Sequence, residues 1–273
     1  MVTFPNAKIN IGLQILRKRP DGYHDLASCF YPVACHDILE ILPAQMPEFQ
    51  TSGIPIPQDG KPNICQRAYQ LLAQDFRLPP VYMHLYKNLP IGAGLGGGSA
   101  DAAFTLKMLN EIFELHLPVE KLQNYARQLG SDCAFFIENQ PKYCTQKGDH
   151  FQDITLSLKG KQIVIIYPNL HISTAEAYQN IIPNDKVTPL YQLLQQPIHT
   201  WKDCITNDFE SPLFAKYPLL AQIKQTLYAN HAIYASLTGS GSAIFGIFEK
   251  QNFTSLKRLF PTHYWIWEGE MEV

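Results

Sequence analysis

The sequence has no cysteine spacing typical of a zinc site or a disulfide framework. Its six cysteines, at positions 29, 35, 65, 133, 144 and 204, are widely separated, and none belongs to a Cys-x-x-Cys pair. Both kinds of site depend on closely or regularly spaced cysteines. We therefore predict reduced thiols in a cytoplasmic protein, because that compartment keeps thiols reduced.

A large charge excess is absent as well. Lysine and arginine number 22 against 24 aspartates and glutamates, which gives a net charge of −2. Such a balance provides no general attraction to nucleic acid or to an anionic membrane. No apolar run is long enough for a membrane span, and Lys8 and Asn10 interrupt the stretch that a signal peptide would need unbroken. We expect neither a nucleic-acid nor a membrane partner, and the sequence specifies no oligomeric state.

Two familiar phosphate-binding signatures are missing. The stretch NLPIGAGLGGGSADAA, residues 88–103, has five glycines in seven positions but no Lys-Ser or Lys-Thr after them, which excludes a P-loop. The sequence also lacks His-Arg-Asp and Asp-Phe-Gly beyond this stretch, which excludes a protein-kinase loop. Residues 92–97 do satisfy G-x-G-x-x-G, with Glu111 and Glu114 downstream, so a dinucleotide-dependent oxidoreductase is an open alternative.

A glycine-rich loop is present between a predicted strand, VYMHLYKNLP, and a predicted helix over residues 99–113. The first N–H groups of a helix are unpaired and attract anions, and glycines let a phosphate approach them closely. We therefore predict a nucleotide-phosphate site, at which a side chain in place of Gly97 is expected to obstruct the phosphate. A ligand-free turn is the alternative, but it does not need so many glycines. The predicted nucleotide contacts are Asn63, Lys87, Pro90, Ile91, Gly92, Ala93, Gly94, Leu95, Gly96, Gly97, Gly98, Ser99 and Ala100.

The periodicity of apolar residues over the rest of the chain predicts an α+β protein with a domain boundary between residues 152 and 153. A proline-rich loop is expected over residues 43–62. Strands are predicted at 7–16, 25–42, 133–137, 161–168, 232–238, 243–248 and 263–269. Further helices are predicted near 63–76, 118–129, 174–182, 187–195, 217–229 and 252–259.

Three segments, in this order along the chain, resemble motifs of the GHMP small-molecule kinases. They are Ala7-Lys8-Ile9-Asn10, the glycine loop within residues 90–103, and LTGSGSA at residues 237–243. They span nearly the whole chain, and three ordered motifs are much more specific than one glycine loop. The segments at 21–24 (DGYH), 62–64 (PNI) and 129–132 (LGSD) resemble one branch of that family, whose acceptor is a cytidine diphosphate sugar alcohol.

The resemblance implies a two-lobed α+β kinase. Its parts would be a ribosomal-S5-like nucleotide lobe over residues 1–152 and a ferredoxin-like lobe over residues 153–273. ATP with Mg²⁺ would be the co-substrate, and the product would serve isoprenoid biosynthesis. A homoserine, mevalonate or sugar kinase of the same family is the near alternative. A nucleotide-binding regulator without turnover is a further one.

The resemblance also assigns catalysis to Asp132 and Lys8. Asp132 follows a helix stop at Gly130 and would act as general base. Lys8 would lie beside that carboxylate and the acceptor hydroxyl, where an ammonium favours the ionised acid and a developing alkoxide. Without the resemblance, a turn carboxylate is the favoured reading of Asp132, and an ordinary surface charge is the favoured reading of Lys8.

The cytosine end of the acceptor is assigned, again by resemblance, to an aromatic platform. Tyr23 and His24 lie beside a turn, and Tyr178, in the segment 168–178, would supply the second face of a base sandwich. A tyrosine packed beneath the turn is the alternative reading of Tyr23. The predicted substrate contacts are Asn10, Tyr23, His24, Phe30, Tyr178, Thr238 and Gly239.

The chain departs from the family pattern at two places. Cys133 and Ala134 follow Asp132 where the family more often has a proline, and Ala100 follows Ser99 where a second serine is frequent. Ser99 is the candidate contact for Mg²⁺, and no carboxylate stands out as a dedicated metal ligand. Asp101 is expected in the first helical turn, where it would suit the helix dipole. Asn63 and Lys87 also fit solvated positions flanking the loop.

Overall fold

The computed structural model describes residues 1–57, 60–179, 181–183 and 188–273, in alternating strands and helices. The strands are β1 (Val2–Thr3), β2 (Asn6–Lys18), β3 (His24–His36), β4 (Ile38–Pro43), β5 (Glu48–Gly53), β6 (Val81–Lys87), β7 (Lys142–Thr145), β8 (His150–Asp153), β9 (Gln162–Tyr167), β10 (Tyr234–Leu237), β11 (Ile244–Phe248) and β12 (Trp265–Glu270). The helices are α1 (Ile64–Phe76), α2 (Gly97–Ile112), α3 (Val119–Leu129), α4 (Phe135–Glu138), α5 (Thr174–Tyr178), α6 (Leu190–Leu194), α7 (Trp201–Cys204), α8 (Glu210–Lys216) and α9 (Pro218–Ala229). Short 3-10 turns occupy Ile198–Thr200, Lys250–Asn252 and Lys257–Leu259.

The chain divides into two compact units, and each takes its residues from three separate stretches. The first unit comprises Met1–Ala7, Cys35–Ile91 and Gly96–Gln140, and the second comprises Lys8–Ala34, Gly92–Leu95 and Pro141–Val273. This division differs from the single boundary predicted at 152/153. The early strand β3 pairs with the late strand β7 inside the second unit, so a cut at one point of the sequence does not separate the two units.

The first unit is built on a four-stranded sheet of order β1-β4-β6-β5, in which β5 runs parallel to β6 and the other pairs are antiparallel. Alternation along β6 buries Val81, Met83, Leu85 and Lys87. Helices α1, α2 and α3 pack against one another. Since Lys87 shares the apolar face of β6, its amine is carried into the interior.

The second unit contains two four-stranded sheets, β2-β3-β7-β8 and β10-β11-β9-β12. The second of these sheets is antiparallel throughout. Its residues Val164 and Ile166 form a core cluster with Ile223 and Leu227 of α9 and with Leu13 of β2. This core anchors β10, whose end leads directly into the segment with the third motif.

Most of the long predicted elements are confirmed, among them β2, α1, β6, α2, α3, β9 and α9. Helix α2 begins two residues earlier than predicted, at Gly97. The helices predicted near 174–182 and 187–195 are the shorter α5 and α6, and residues 180 and 184–187 lie outside the described residues. In the part of the chain that the structure describes, no helix is long and apolar enough to cross a membrane.

Three predicted elements are wrong. Residues 43–62 hold strand β5 as well as loop, with 58–59 outside the described residues. Residues 133–137 form a turn and part of α4 instead of a strand, because a short buried apolar run has the same pattern in either structure. The helix predicted at 252–259 is an extended segment with 3-10 turns. Helices α7 and α8 were not predicted, and they are only four and seven residues long.

Candidate active site

The glycine loop leads from β6 into helix α2. Gly92, Gly94 and Gly96 have φ angles of 70°, 81° and 72°, in the left-handed region that favours glycine. Gly96 is the N-cap of α2, and no side chain caps the 16-residue helix. Its first N–H groups are therefore available to an anion, and the helix dipole makes that end positive.

Three glycines of the loop differ in the space that a Cβ would find. A Cβ on Gly94 would lie 2.1 Å from the carbonyl oxygen of Thr238, so only glycine permits this close backbone approach within the second unit. A Cβ on Gly98 would meet nothing within 4 Å, and Gly98 is exposed. Gly97 is buried, and its Cβ would lie 3.1 Å from Lys87 Nζ. The expected obstruction of a phosphate by a side chain at Gly97 is therefore wrong, because that position points inward.

A buried charge cluster supports the start of α2 inside the first unit. Lys87 Nζ lies 2.5 Å from Asp37 Oδ2 and 2.7 Å from Asp101 Oδ2, and all three side chains are at most 4% exposed. Asp37 Oδ1 also accepts the backbone N–H groups of Asn88 and Leu89, at 2.7 and 2.8 Å. The cluster thus ties the end of β6 and the first residues after it to α2.

The two carboxylates of this cluster accept different numbers of hydrogen bonds. Asp101 Oδ1 is buried without a hydrogen-bond partner. Burial raises the pKa of Asp101 to about 7, with the negative charge of Asp37 adding to the rise and Lys87 opposing it. Burial alone would lower the pKa of Lys87, but the two carboxylates raise it. Asp101 lies beyond the first turn of α2, so its expected role toward the helix dipole is wrong.

Lys8 lies at the centre of a second polar network, which belongs entirely to the second unit. It is 3% exposed, and its Nζ donates to Asn10 Oδ1 at 2.6 Å and to the carbonyl of Gly94 at 3.2 Å. The ammonium also stands 4.7 Å from the centroid of the Phe30 ring. Lys8 is therefore a fixed interior charge, and the surface-charge alternative is wrong.

Thr238 joins the third motif to the same network. Its Oγ1 accepts the backbone N–H of Asn10 at 3.1 Å and lies 3.2 Å from the Gly94 carbonyl oxygen. Gly239 has a φ of 56°, and a Cβ there would lie 3.2 Å from Gly94. The structure thus brings together four of the predicted residues, Lys8, Asn10, Gly94 and Thr238, with Phe30 and Gly239 beside them.

The aromatic residues predicted for the cytosine end have a different arrangement. Tyr23 is 62% exposed, with Lys147 Nζ 5.1 Å from its ring centroid. The rings of His24 and Tyr178 are stacked 4.8 Å apart at 19°. Tyr178 also contacts Phe209 edge-on at 4.9 Å. One face of Tyr178 is therefore covered by His24, and a base sandwich between Tyr23 and Tyr178 stays a prediction.

Asp132 lies in the turn between α3 and α4 of the first unit and is half-buried. The next residue, Cys133, is buried. Burial raises the pKa of Cys133 to about 12. Cys133 N–H also donates to the carbonyl of Gly130, at 3.2 Å. The turn that carries Asp132 is thus held by a buried side chain and a backbone hydrogen bond at the residue that follows the carboxylate.

The two outlying nucleotide predictions have structural roles in the first unit. Asn63 Oδ1 accepts the N–H of Cys65 at 2.9 Å and forms a capping box with Gln66 at the start of α1. Lys87 is buried in the charge cluster. The solvated alternative is wrong for Lys87, and nucleotide contact by either residue stays a prediction.

Sequence reasoning missed several polar residues around the site. Asp37 anchors Lys87, while Asn207 and Glu210 hold the backbone on either side of Thr238. His171 lies 2.8 Å from the position of a Cβ on Gly92. Alternation along β6, which buries Lys87, was a usable signal that a buried acid must exist for it. Nothing in the local sequence identified the partners of Asn207.

No group of three or more histidine, cysteine or acidic side chains that could hold a metal ion occurs among the residues that the structure describes. Ser99, near the start of α2, is half-buried. The chain's own donors around the loop are thus backbone N–H groups and one hydroxyl. That donor set suits the phosphates of a nucleotide better than a resident metal ion.

The architecture and these motifs match two family models. The model of the GHMP kinases N terminal domain matches residues 63–140, and the GHMP kinases C terminal model matches residues 190–258. The first covers the glycine loop and Asp132, and the second covers Asn207 and Thr238. The matches define the class as that of the GHMP kinases.

Curated relatives narrow the class. A 4-diphosphocytidyl-2-C-methyl-D-erythritol kinase of Cytophaga hutchinsonii is 48% identical over 249 residues, 91% of this chain and 92% of the relative. One of Bacteroides fragilis is 49% identical over 255 residues, 92% and 93% of the two chains. The chain belongs to the family of 4-diphosphocytidyl-2-C-methyl-D-erythritol kinases.

Solved structures agree with this assignment. A crystal structure of 4-(cytidine 5'-diphospho)-2C-methyl-D-erythritol kinase covers 100% of both chains at 27% identity with a TM-score of 0.86. A mevalonate kinase structure covers 100% of both chains at 15% identity with a TM-score of 0.77, which shows the shared fold alone. The predicted α+β GHMP-kinase fold is confirmed, and the dinucleotide-dependent oxidoreductase alternative is wrong.

Proposed function

We propose that this chain transfers the γ-phosphoryl group of ATP to the 2-hydroxyl of 4-diphosphocytidyl-2-C-methyl-D-erythritol, a step of isoprenoid biosynthesis in the cytoplasm. The observation that carries the proposal is the buried Lys8 ammonium, held by Asn10 and the Gly94 carbonyl. An ammonium fixed beside the glycine loop stabilises the charge that develops during phosphoryl transfer. Enzymes named for this substrate are 48–49% identical to the chain.

The nucleotide phosphates bind at the start of α2. The uncapped N–H groups after Gly96 donate to phosphate oxygens, and the open space in front of Gly98 admits them. ATP enters with Mg²⁺, which neutralises phosphate charge when bound. Of this chain's own groups, the Ser99 hydroxyl is the proposed contact for the ion.

Asp132 is the proposed general base. It accepts the proton of the acceptor hydroxyl and orients that hydroxyl toward the γ-phosphorus atom. Phosphoryl transfer is largely dissociative, so the proton leaves late and orientation is a large part of the contribution. Lys8 stabilises the attacking oxygen. The backbone hydrogen bond from Cys133 to Gly130 fixes the turn and gives Asp132 a defined position in the first unit.

Tyr23 is the proposed stacking platform for the cytosine. Its ring is 62% exposed, as a binding surface requires. Burial and the Lys18 charge lower the pKa of His24, so the imidazole is neutral near pH 7 and offers one donor and one acceptor to the base edge. Tyr178 orients that imidazole by stacking on it, in place of the predicted second face of a sandwich.

The proposal is tested by measuring ADP release from ATP–Mg²⁺ with four acceptors: 4-diphosphocytidyl-2-C-methyl-D-erythritol, mevalonate, homoserine and galactose. We expect turnover with the first alone. Lys8→Met should lower kcat by at least about 100-fold, since it removes a fixed charge at the transition state. The matched control is Lys161→Met, in the same unit, which removes only a surface ion pair with Glu249.

Each outcome has a defined meaning. Turnover with mevalonate, homoserine or galactose instead would keep the kinase class and overturn the acceptor. ATP binding without ADP release for any acceptor would favour the regulator alternative. Wild-type turnover in Lys8→Met would remove Lys8 from catalysis while leaving the acceptor assignment intact.

A further inference from the structure

Asn207, in the segment before α8, uses its whole side chain on the backbone around Thr238. It is 1% exposed, and its Nδ2 donates to the carbonyl of Leu237 at 2.9 Å and to the carbonyl of Gly239 at 2.8 Å. Its Oδ1 accepts the N–H of Phe209 at 3.0 Å. An asparagine side chain offers two N–H hydrogens and one carbonyl oxygen, so each hydrogen-bonding group of Asn207 has a partner.

The two carbonyls flank Thr238, so Asn207 determines how this residue is presented. The N–H of Thr238 is bonded to the Ala243 carbonyl at 3.0 Å, and its own carbonyl accepts the N–H of Gly241 at 3.0 Å. These bonds close the turn on its other side. With both sides fixed, the Thr238 hydroxyl has one direction, toward Asn10 and Gly94.

That hydroxyl contacts the residues that hold the Lys8 ammonium. Asn10 and Gly94 each bond to Thr238 Oγ1 and to Lys8 Nζ. Asn207 is bonded to the backbone on both sides of Thr238, and Thr238 is bonded to Asn10 and Gly94, which hold Lys8. All these residues belong to the second unit. The Gly94 carbonyl, which takes part, also belongs to the glycine loop.

Asn207 is itself held rigidly. The N–H of Leu13 donates to the Thr206 carbonyl at 3.1 Å, and the N–H of Asp208 donates to the Leu13 carbonyl at 2.8 Å, which bonds the segment to strand β2. Glu210 Oε1 accepts the N–H of Leu237 at 2.9 Å. The same strand, β2, carries Lys8 and Asn10. Strand β2 therefore supports both Asn207 and the residues that hold the Lys8 ammonium.

We propose that Asn207 is a positioning residue for phosphoryl transfer, which fixes the Thr238 turn and through it the Lys8 ammonium. The inference rests on the proposed function, since it gives Lys8 the catalytic charge. Misplacement of a reacting group by about 1 Å costs on the order of 100-fold in rate. Loss of Asn207 should therefore lower kcat much more than it raises the KM for either substrate.

The decisive variant is Asn207→Asp, which keeps the size of the side chain and replaces both donors with a carboxylate oxygen facing two carbonyls. We expect kcat to fall by roughly 10- to 100-fold, with the KM for ATP within about threefold of wild type. The matched control is Asn230→Asp, because Asn230 Nδ2 also donates to a backbone carbonyl, that of Thr226 at 2.8 Å, in the same unit. The control should keep wild-type kcat.

A double-mutant cycle keeps the test informative if Asn207→Asp folds poorly. Asn207→Ala, Thr238→Val and the double variant are compared in kcat and in the free energy of unfolding. Since both residues act through one series of bonds, their effects on kcat should be non-additive, with the double variant no slower than the worse single variant. Additive losses in kcat, or a wild-type kcat in Asn207→Asp, would overturn the positioning role.

Failure of the proposed function would look different. An inactive wild-type chain overturns the kinase assignment, whereas an active wild-type chain with an unaffected Asn207→Asp overturns only the inference. Whether or not the wild-type chain is active, the rate of amide hydrogen exchange over residues 236–243 measures the local stability of the Thr238 turn. Faster exchange there in Asn207→Asp, but not in Asn230→Asp, is the expected result, and unchanged exchange would overturn the inference.

Discussion

At the scale of single residues, Lys8 shows why a charge inside a protein indicates function. An ammonium in the interior is costly unless it is well solvated by the protein, and here an amide oxygen, a carbonyl and the face of Phe30 surround it. An alternating strand pattern predicted which face Lys8 occupies but not that this face is buried. Only the family resemblance identified Lys8 as a site residue. Its partners Gly94 and Thr238 are distant in sequence, so no local pattern could indicate the contacts.

Asp132→Asn tests the proposed base. The amide has the shape of the carboxylate but cannot accept the hydroxyl proton, so kcat should fall by roughly 10²- to 10⁴-fold. Nucleotide affinity should stay within about threefold, since the phosphates bind to backbone groups of α2. Steady-state kinetics and ATP titration measure the two quantities.

Asp153→Asn is the control for this change, because the Asp153 side chain is 92% exposed and lies in the second unit, where it pairs with Lys142. It should leave kcat unchanged. A loss below tenfold in Asp132→Asn would remove Asp132 from proton transfer.

Gly98→Val tests the phosphate site at the position that the structure leaves open. A Cβ at this position meets nothing within 4 Å, so the melting temperature should change by no more than a few degrees. The isopropyl group stands at the start of α2, and the KM for ATP should rise by at least about tenfold, or about 1.4 kcal/mol of binding free energy. Gly98→Ala should have a smaller effect in the same direction. An unchanged KM for ATP in the valine variant would place the phosphates elsewhere.

At the scale of elements, strand β6 and helix α2 meet through buried charges. The sequence predicted both elements, and the period-2 pattern of β6 also places Lys87 on the buried face. It could not identify Asp37 and Asp101 as partners, because these pairs join residues 50 and 14 positions away. The short helices α4 and α8 were missed for a related reason, since tertiary packing decides such brief elements.

Asp101→Asn tests the electrostatics of this pair of elements. A carboxyl whose pKa is raised from 3.8 to about 7 in the folded chain stabilises the fold most below pH 3.8, and this contribution is lost as the pH rises to about 7. The asparagine variant has no such loss. At pH 8 it should therefore be more stable than wild type by at least about 1 kcal/mol, with a smaller difference at pH 5.

Urea denaturation at pH 5, 6, 7 and 8 measures this dependence, with Asp153→Asn as the control. Its carboxyl has a lowered pKa because of Lys142, so the free-energy difference from wild type should be flat across that range. A flat difference for Asp101→Asn as well would show that Asp101 is ionised throughout.

At the scale of the whole molecule, the sequence predicted the α+β class but not how the chain is divided. Composition and periodicity are local properties, whereas the two units are each assembled from three stretches. The glycine loop is shared, since Gly92–Leu95 belongs to the second unit and the residues after it to the first. The family resemblance predicted the fold and the candidate site residues, whereas the partners of the buried polar groups required coordinates.

Thiol accessibility tests the fold as a whole. Cys204 is exposed and the other five cysteines are buried. Burial also raises the pKa of Cys29, Cys35 and Cys133 to about 12, which suppresses the reactive thiolate. An aromatic disulfide reagent at pH 8 should therefore react rapidly with one thiol in the native chain and with all six after unfolding. Cys204→Ser should abolish the rapid phase, and two or more rapid thiols in the native chain would contradict the described packing.

The bond between Asn10 and Thr238 joins residues 228 positions apart, and this sets an order of events during synthesis. At roughly 5–20 residues per second, the ribosome needs on the order of ten seconds or more to reach Thr238 after Asn10 has been made. Throughout that interval, the apolar face of β2 has no finished core to enter. A nascent chain that stalls before residue 238 therefore contains every residue of the first unit but lacks Thr238, which bonds to Asn10 near Lys8. Every chain interrupted there should be catalytically inactive and should bind chaperones.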